Sequence, residues 1–298
     1  MANATINGIN IEYEVHGPAD GEPLLMIMGL GSQLTRWPPA LYEKLVAQEF
    51  RVIRFDNRDV GLSEKFTGAP TVESVVSALM QGRKPDIPYT LDDMAADAVG
   101  LLDHLGIQRA HLCGASMGGM IGQLVAADYP ERVRSFTAIF TSTGNPALPP
   151  AKPEAMAVLI TRAPDPKKDI EAYLDQMLVN ARTIGSPGFP FDEKILRERL
   201  RRDVLRCYEP TGVARQLAAV IANGDRRSKL AKITAPTVVL HGDADPLVPL
   251  EGGKDLAANV AGAELRVVSG MGHDLPTQLY DTIVDAIGRA VARSKVSA

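Results

Sequence analysis

The sequence predicts an α/β fold built on a mostly parallel, doubly wound sheet. Three observations point there. Short apolar runs bounded by glycine or proline alternate with stretches of helical period. The runs carry little polar alternation, as strands covered on both faces do. The alternation breaks after Gly144, where eight prolines fall between Asn145 and Pro190, and resumes at Pro236.

Residues 9–15, INIEYEV, alternate apolar and polar, the pattern of a half-buried strand. Residues 24–28, LLMIM, are a continuous apolar run ending at Gly29, and RVIRF at 51–55 is a further strand ending at Asp56. A long connection, 64–89, contains one helical patch, Val72–Met80. The spacing of Leu91, Met94, Ala98, Leu101, Leu102 and Leu105 predicts a helix over 91–105, with Thr90 and Asp93 as a capping box and Gly106 as its stop. RAHLC at 109–113 reads as a strand and runs directly into GASMGG. A helix follows over 117–129, stopped by Pro130, and a strand over 133–140. In the proline-broken region, Ile170, Tyr173, Leu174, Met177, Leu178 and Ala181 mark a helix, and helical pattern continues to Asn223. Strand 236–241, helix 252–260, strand 264–268 and a closing helix from about 275 to 293 complete the chain. Residues 1–144 and 224–298 thus form the α/β core, and 145–223 a helical insert. It would sit above the C-terminal strand ends, where ligands bind in such sheets.

The chain has 298 residues, 45% of them hydrophobic and 23% charged, which excludes a mainly disordered protein. Its net charge of −4 argues against nucleic acid as a partner. Two cysteines, Cys113 and Cys207, exclude a disulfide scaffold. No apolar run approaches the ~18 residues of a membrane span. The N-terminal MANATINGINIEYEV lacks the basic and apolar regions of a signal peptide. We therefore expect a soluble cytoplasmic protein, monomer or homodimer, without membrane contact.

The strongest chemical signal is Gly114-Ala115-Ser116-Met117-Gly118, a G-x-S-x-G between a strand and a helix. Its glycines permit a tight turn that presents the Ser116 hydroxyl at a helix N-terminus, where negative charge is favoured. Serine needs a base. Of the five histidines, His273 stands out because Gly270-Met271-Gly272-His273 follows the last strand. His104 and His111 fall within a helix and a strand and read as structural. His16 ends an early strand, and His241 ends the strand before Gly242. HGDADP offers two carboxylates, Asp243 and Asp245, to orient His273; either could reach it, and the chain order Ser116, Asp245, His273 is that of this architecture. An oxyanion hole needs two backbone N–H groups. Position assigns them to Met117, after the serine, and to Leu30, in the loop after strand 24–28.

Together, MGLG at 28–31, DNRDVGLS at 56–63, GASMGG at 114–119, HGDADPLVP at 241–249 and GMGH at 270–273 resemble the α/β-hydrolase fold enzymes over essentially the whole chain. The resemblance implies a sheet of about eight strands and a helical cap at 145–223. It also implies a Ser-Asp-His carboxylesterase acting on small-molecule esters, with Asp245 as the triad acid and Leu30 and Met117 as oxyanion donors. Met28 stands where the family usually has a histidine bracing the oxyanion loop. Met28-Gly29, Trp37-Pro38 and M-G-H-x-L-P look like the aclacinomycin methylesterase group, which removes a methyl ester from a bulky aromatic polyketide. The same triad serves perhydrolysis of the cofactor-free haloperoxidase type, and C–C or lactone cleavage. A ligand-binding protein on this scaffold is a further alternative.

Asp56 and Arg58 are expected to hold the loop after strand 51–55. The basic run Arg197, Arg199, Arg201, Arg202 and Arg206 is expected to be a solvated helix face. Cys113 reads as a buried apolar residue. No H-E-x-x-H, C-x-x-C or P-loop pattern is present, so no metal or nucleotide cofactor is expected.

Overall fold

The computed structural model describes residues 1–296. Eight strands make one sheet: β1 (Ala2–Ile6), β2 (Ile9–His16), β3 (Glu22–Ile27), β4 (Phe50–Phe55), β5 (Ala110–Ala115), β6 (Val133–Ile139), β7 (Thr237–Gly242) and β8 (Glu264–Val268). The spatial order is β1-β2-β4-β3-β5-β6-β7-β8. β1 pairs with β2 and β2 with β4 antiparallel; every other pair is parallel. Order is reversed about β3, so the chain winds to both sides of it.

β1 was not among the expected strands. It is a short edge strand, ANATI, with only Ala4 and Ile6 buried and a single large apolar side chain. Its turn was nonetheless legible. Asn7 and Gly8 both have positive φ, 51° and 80°, as the Asn-Gly of a two-residue hairpin requires.

Eleven helices are described: α1 (Pro39–Val46), α2 (Val72–Met80), α3 (Leu91–His104), α4 (Met117–Asp128), then α5 (Pro153–Ile160), α6 (Ile170–Ile184), α7 (Glu193–Arg206) and α8 (Pro210–Asn223), and finally α9 (Arg227–Leu230), α10 (Leu250–Asn259) and α11 (Tyr280–Val296). The Thr90–Asp93 capping box is formed on α3. The closing helix begins later than expected. Pro276 and a single 3₁₀ turn, Thr277–Leu279, precede Tyr280, the first residue of α11. α1 was also unforeseen, although Pro39 at its first position is a standard start signal.

Alternate side chains of the central strands divide between two cores. Leu25 and Ile27 join α3 and α4 on one face, while Leu24 and Met26 join α1 and α11 on the other. All four are fully buried. The helices between β6 and β7 have a small core of their own, Leu174, Leu178 and Leu200. α2 packs on α8, so the 64–89 connection contacts this helical region.

Candidate active site

Each parallel strand delivers its following loop to the same edge of the sheet, and there the expected residues meet. β5 ends at Ala115, and Ser116 follows with φ 55° and ψ −120°, a conformation that costs free energy for a residue with a side chain. Two glycines make it accessible. A Cβ on Gly118 would lie 2.0 Å from the Ile27 carbonyl oxygen, and one on Gly114 would lie 2.3 Å from the Gly118 oxygen. The turn is held by Ser116 N–H donating to Ile139 O at 3.0 Å and by the Thr141 hydroxyl donating to Ser116 O at 2.8 Å.

His273 Nε2 lies 2.9 Å from Ser116 Oγ, and His273 Nδ1 lies 2.7 Å from Asp245 Oδ2. A carboxylate only accepts, so Nδ1 carries the proton and Nε2 is free to accept from the serine hydroxyl. The second Asp245 oxygen accepts from Leu247 N–H at 2.9 Å and Val248 N–H at 2.8 Å. The Asp245 side chain is therefore fully engaged and its orientation toward His273 is fixed.

Asp243 goes elsewhere: its Oδ1 accepts from Gly270 N–H at 2.7 Å, tying the glycine-rich loop to the end of β7. His241 is buried beneath the same turn and donates from Nε2 to Val248 O at 2.8 Å. Burial pulls its pKa below the usual histidine value, keeping it neutral. His16 and His104 are tied up far from Ser116, with Glu14 and Tyr13 respectively, and His111 faces Ser135.

Met117 opens α4, so its N–H has no partner inside the helix. Gly29 runs directly beside the serine, its Cβ direction ending 3.0 Å from Ser116 Cβ. Leu30 follows in a turn closed by Ser32 N–H donating to Gly29 O at 3.2 Å. Gly31 has φ +65°, the left-handed value that the third position of a type II turn requires.

The helical region contacts both loops that flank Ser116. At the His273 loop, His273 N–H donates to Ile184 O at 2.7 Å, Gly188 N–H to Gly270 O at 2.9 Å, and Gly272 N–H to Ser186 Oγ at 2.8 Å. The Ser186 hydroxyl in turn donates to Asp274, whose carboxyl pKa is raised by burial. At the other side, Gln216 reaches Gly31 N–H and Arg215 grips Asp59 through two bonds of 2.8 Å. Tyr89 O–H also donates to Asp59, at 2.6 Å.

Asp56 and Arg58 hold loops, as expected. Asp56 accepts from Leu34 N–H at 2.7 Å and Leu62 N–H at 2.9 Å, and Arg58 pairs with buried Asp97. The basic run is a different matter. Arg206 turns inward to Asp56 and Gln33, each at 2.7 Å, and Arg197 and Arg201 reach across to α6 carboxylates. Arg206 thus departs from the expected solvated face, whereas Arg202 is exposed and Arg197 and Arg201 make surface ties between helices. Gln216, Asn57 and Ser186 were not singled out from the sequence. A polar side chain that serves a distant backbone group leaves no periodic trace.

Among the described residues, no group of three or more His, Cys, Asp or Glu is placed to hold a metal ion. Nor is any of their helices long and apolar enough to cross a membrane.

Comparison with known proteins agrees with this fold. The profile of a family described as alpha/beta hydrolase fold matches residues 22–276. Rhodomycin D methylesterase DnrP of Streptomyces peucetius is 29% identical over 91% of this chain and 90% of its own. The 3-oxoadipate enol-lactonase 2 of Acinetobacter baylyi is 27% identical over 89% of this chain and 86% of its own. A thermophilic esterase from Thermogutta terrifontis superposes with a TM-score of 0.73 at 24% identity, covering 98% of both chains, a likeness of fold.

Proposed function

The chain belongs to the alpha/beta hydrolase fold family, and from that premise we propose that it is a serine carboxylic-ester hydrolase with Ser116, His273 and Asp245 as its triad. The observation that carries this is the continuous relay from Ser116 Oγ through His273 to Asp245, at 2.9 and 2.7 Å. Ser116 Oγ attacks the acyl carbon as His273 Nε2 takes its proton. The N–H groups of Leu30 and Met117 receive the oxyanion. His273 then protonates the leaving alcohol, and the acyl-enzyme forms. A water activated by the same nitrogen releases the acid. Asp245 holds the tautomer and stabilises the imidazolium. These steps use water as co-substrate and call on no cofactor.

In this reading residues 145–223 are a cap that shapes the pocket, over a core of 1–144 and 224–298. The substrates are small to medium hydrophobic esters, methyl esters among them, encountered in the cytoplasm. The likeness to a rhodomycin D methylesterase over nine-tenths of both chains supports that choice. A lactone is the second substrate class, on the strength of the enol-lactonase relative.

The test is hydrolysis of p-nitrophenyl esters from acetyl to dodecanoyl, of aromatic methyl esters, and of lactones, with Ser116→Ala alongside. Turnover of esters should fall by roughly 10⁴-fold or more in the variant. Undiminished turnover in Ser116→Ala would reject the assignment. Preference for lactones would select the second substrate class.

A further inference from the structure

We propose that Gln216, on α8, is a positioning residue that sets the oxyanion donor of Leu30. The inference rests on the serine-hydrolase reading above and extends it to a side chain outside the triad and the hole.

Gln216 is fully buried, and both ends of its amide are engaged. Its Oε1 accepts from Gly31 N–H at 2.7 Å, and its Nε2 donates to Arg58 O at 2.7 Å. The Gly31 N–H belongs to the peptide joining Leu30 to Gly31. On the other side of the turn, Asn57 Nδ2 donates to Met28 O at 3.0 Å and so anchors the peptide joining Met28 to Gly29. Between these two anchored peptides lies the Gly29–Leu30 peptide, which bears the Leu30 N–H. With both neighbours fixed, few backbone rotations can redirect that N–H. The turn needs such restraint, because Gly29 and Gly31 are the residue type with the greatest conformational freedom.

The restraint is itself well held. Arg215, the preceding residue, binds buried Asp59 through two bonds, and Val213 packs against Gly31, with Cγ2 3.0 Å from its Cβ direction. α8 therefore lies on the 28–31 and 57–59 loops together. An oxyanion donor contributes through prior alignment with a charge that exists only in the transition state. Loss of the Gln216 bond should then leave substrate binding in place and reduce the rate of acylation.

The experiment compares wild type, Gln216→Met, Gln216→Glu and Arg215→Lys on the best ester of the panel. Methionine keeps the shape and removes both bonds. Glutamate retains an acceptor for Gly31 N–H and loses the donor to Arg58 O. We expect kcat of Gln216→Met to fall on the order of 10- to 100-fold, less than outright deletion of a donor. KM should stay within about twofold, as for an interaction made only in the transition state. Affinity for a trifluoromethyl ketone, which forms a tetrahedral adduct, should weaken in parallel. Gln216→Glu should recover part of the lost kcat, and Arg215→Lys should change kcat by less than about threefold despite a lower thermal midpoint. An unchanged kcat in folded Gln216→Met would overturn the proposal. So would an equal kcat loss in Arg215→Lys, since general loosening of α8 would then explain the effect. Each variant is also treated with a fluorophosphonate. Failure of wild type to label at Ser116 would overturn the proposal by removing its premise, a result separable from labelling with kcat unchanged in Gln216→Met.

Discussion

Along β3, Leu24, Leu25, Met26 and Ile27 are all fully buried and apolar, whereas α7 and α8, besides the packing of Ala219 and Val220 on the main core, meet the rest of the molecule through Arg206, Arg215 and Gln216. Two parts of one chain are thus secured by different physics. The sheet and its flanking helices are held by burial of apolar area, which is non-directional and tolerant of small shifts. The junction to the helices of 153–223 adds buried ion pairs and amide bonds, which are directional and costly to break. The apolar mode suits a scaffold. The polar mode fixes the position of a helix, and with it the backbone that the helix touches.

The largest expected effect tests this contrast at its strongest point. Arg215→Ala would leave the Asp59 carboxylate buried with no cation, only the Tyr89 hydroxyl and the Phe66 N–H donating to it, a loss of about 3–5 kcal/mol. The loss should fall on the helical region first. Limited proteolysis between α5 and α6 should accelerate under conditions where the α3 and α4 amides still resist hydrogen exchange. Cleavage and exchange rising together would show that the two regions unfold as one.

An intermediate effect separates the regions by pH. His111 sits in β5, and burial pulls its pKa from 6.5 to about 4. Between those values the unfolded chain binds a proton that the native one refuses, so the sheet loses stability as pH falls from 6.5 toward 4. Asp56, at the junction, is shifted the other way, its carboxyl raised above 3.8 by burial. There the native state holds a proton that the unfolded chain has released, so this group's contribution falls as pH rises from 3.8 through its native value. Urea midpoints at pH 7 and pH 5 should fall on acidification for wild type and fall less for His111→Asn. An unchanged slope in the variant would remove His111 from the account.

The smallest effect probes the neutral grip on the His273 loop. Ser186→Ala removes one acceptor from Gly272 N–H and one donor to Asp274, at a cost of roughly 0.5–1.5 kcal/mol. Exchange of the Gly272 amide should quicken while the β7 amides stay as they are. Equal acceleration at both would mean that the loop has no stability of its own to lose.

The same division decides what could be read from the sequence. Apolar periodicity marked seven of the eight strands, omitting only β1, and it marked α2, α3 and α4 closely. Glycine spelled out the elbow at Ser116 and the loop at His273. The residues favoured Asp245 over Asp243 only modestly; the structure assigns Asp243 to Gly270 N–H and brings Asp245 to His273. Among the arginines of α7 Arg206 misled, because alternation with acidic residues looks alike on a solvated face and on a junction. Gln216 was invisible for a related reason. Its partners, Gly31 N–H and Arg58 O, are backbone groups more than 150 positions away in the chain, and backbone groups have no letter in a sequence.

The bond from Gln216 to Gly31 also bears on protein engineering. Helical regions such as 153–223 invite exchange between homologous scaffolds as a route to new substrates. Here the graft boundary would cut through the bracing of the 28–31 turn. A chimaera carrying a foreign α8 would present Gly31 N–H without its acceptor and Asp59 without Arg215. A transplant limited to α5 and α6 would keep both, but it would have to recreate the Ile184 and Ser186 contacts to the His273 loop. The practical unit of exchange is the helices together with the two loops they hold.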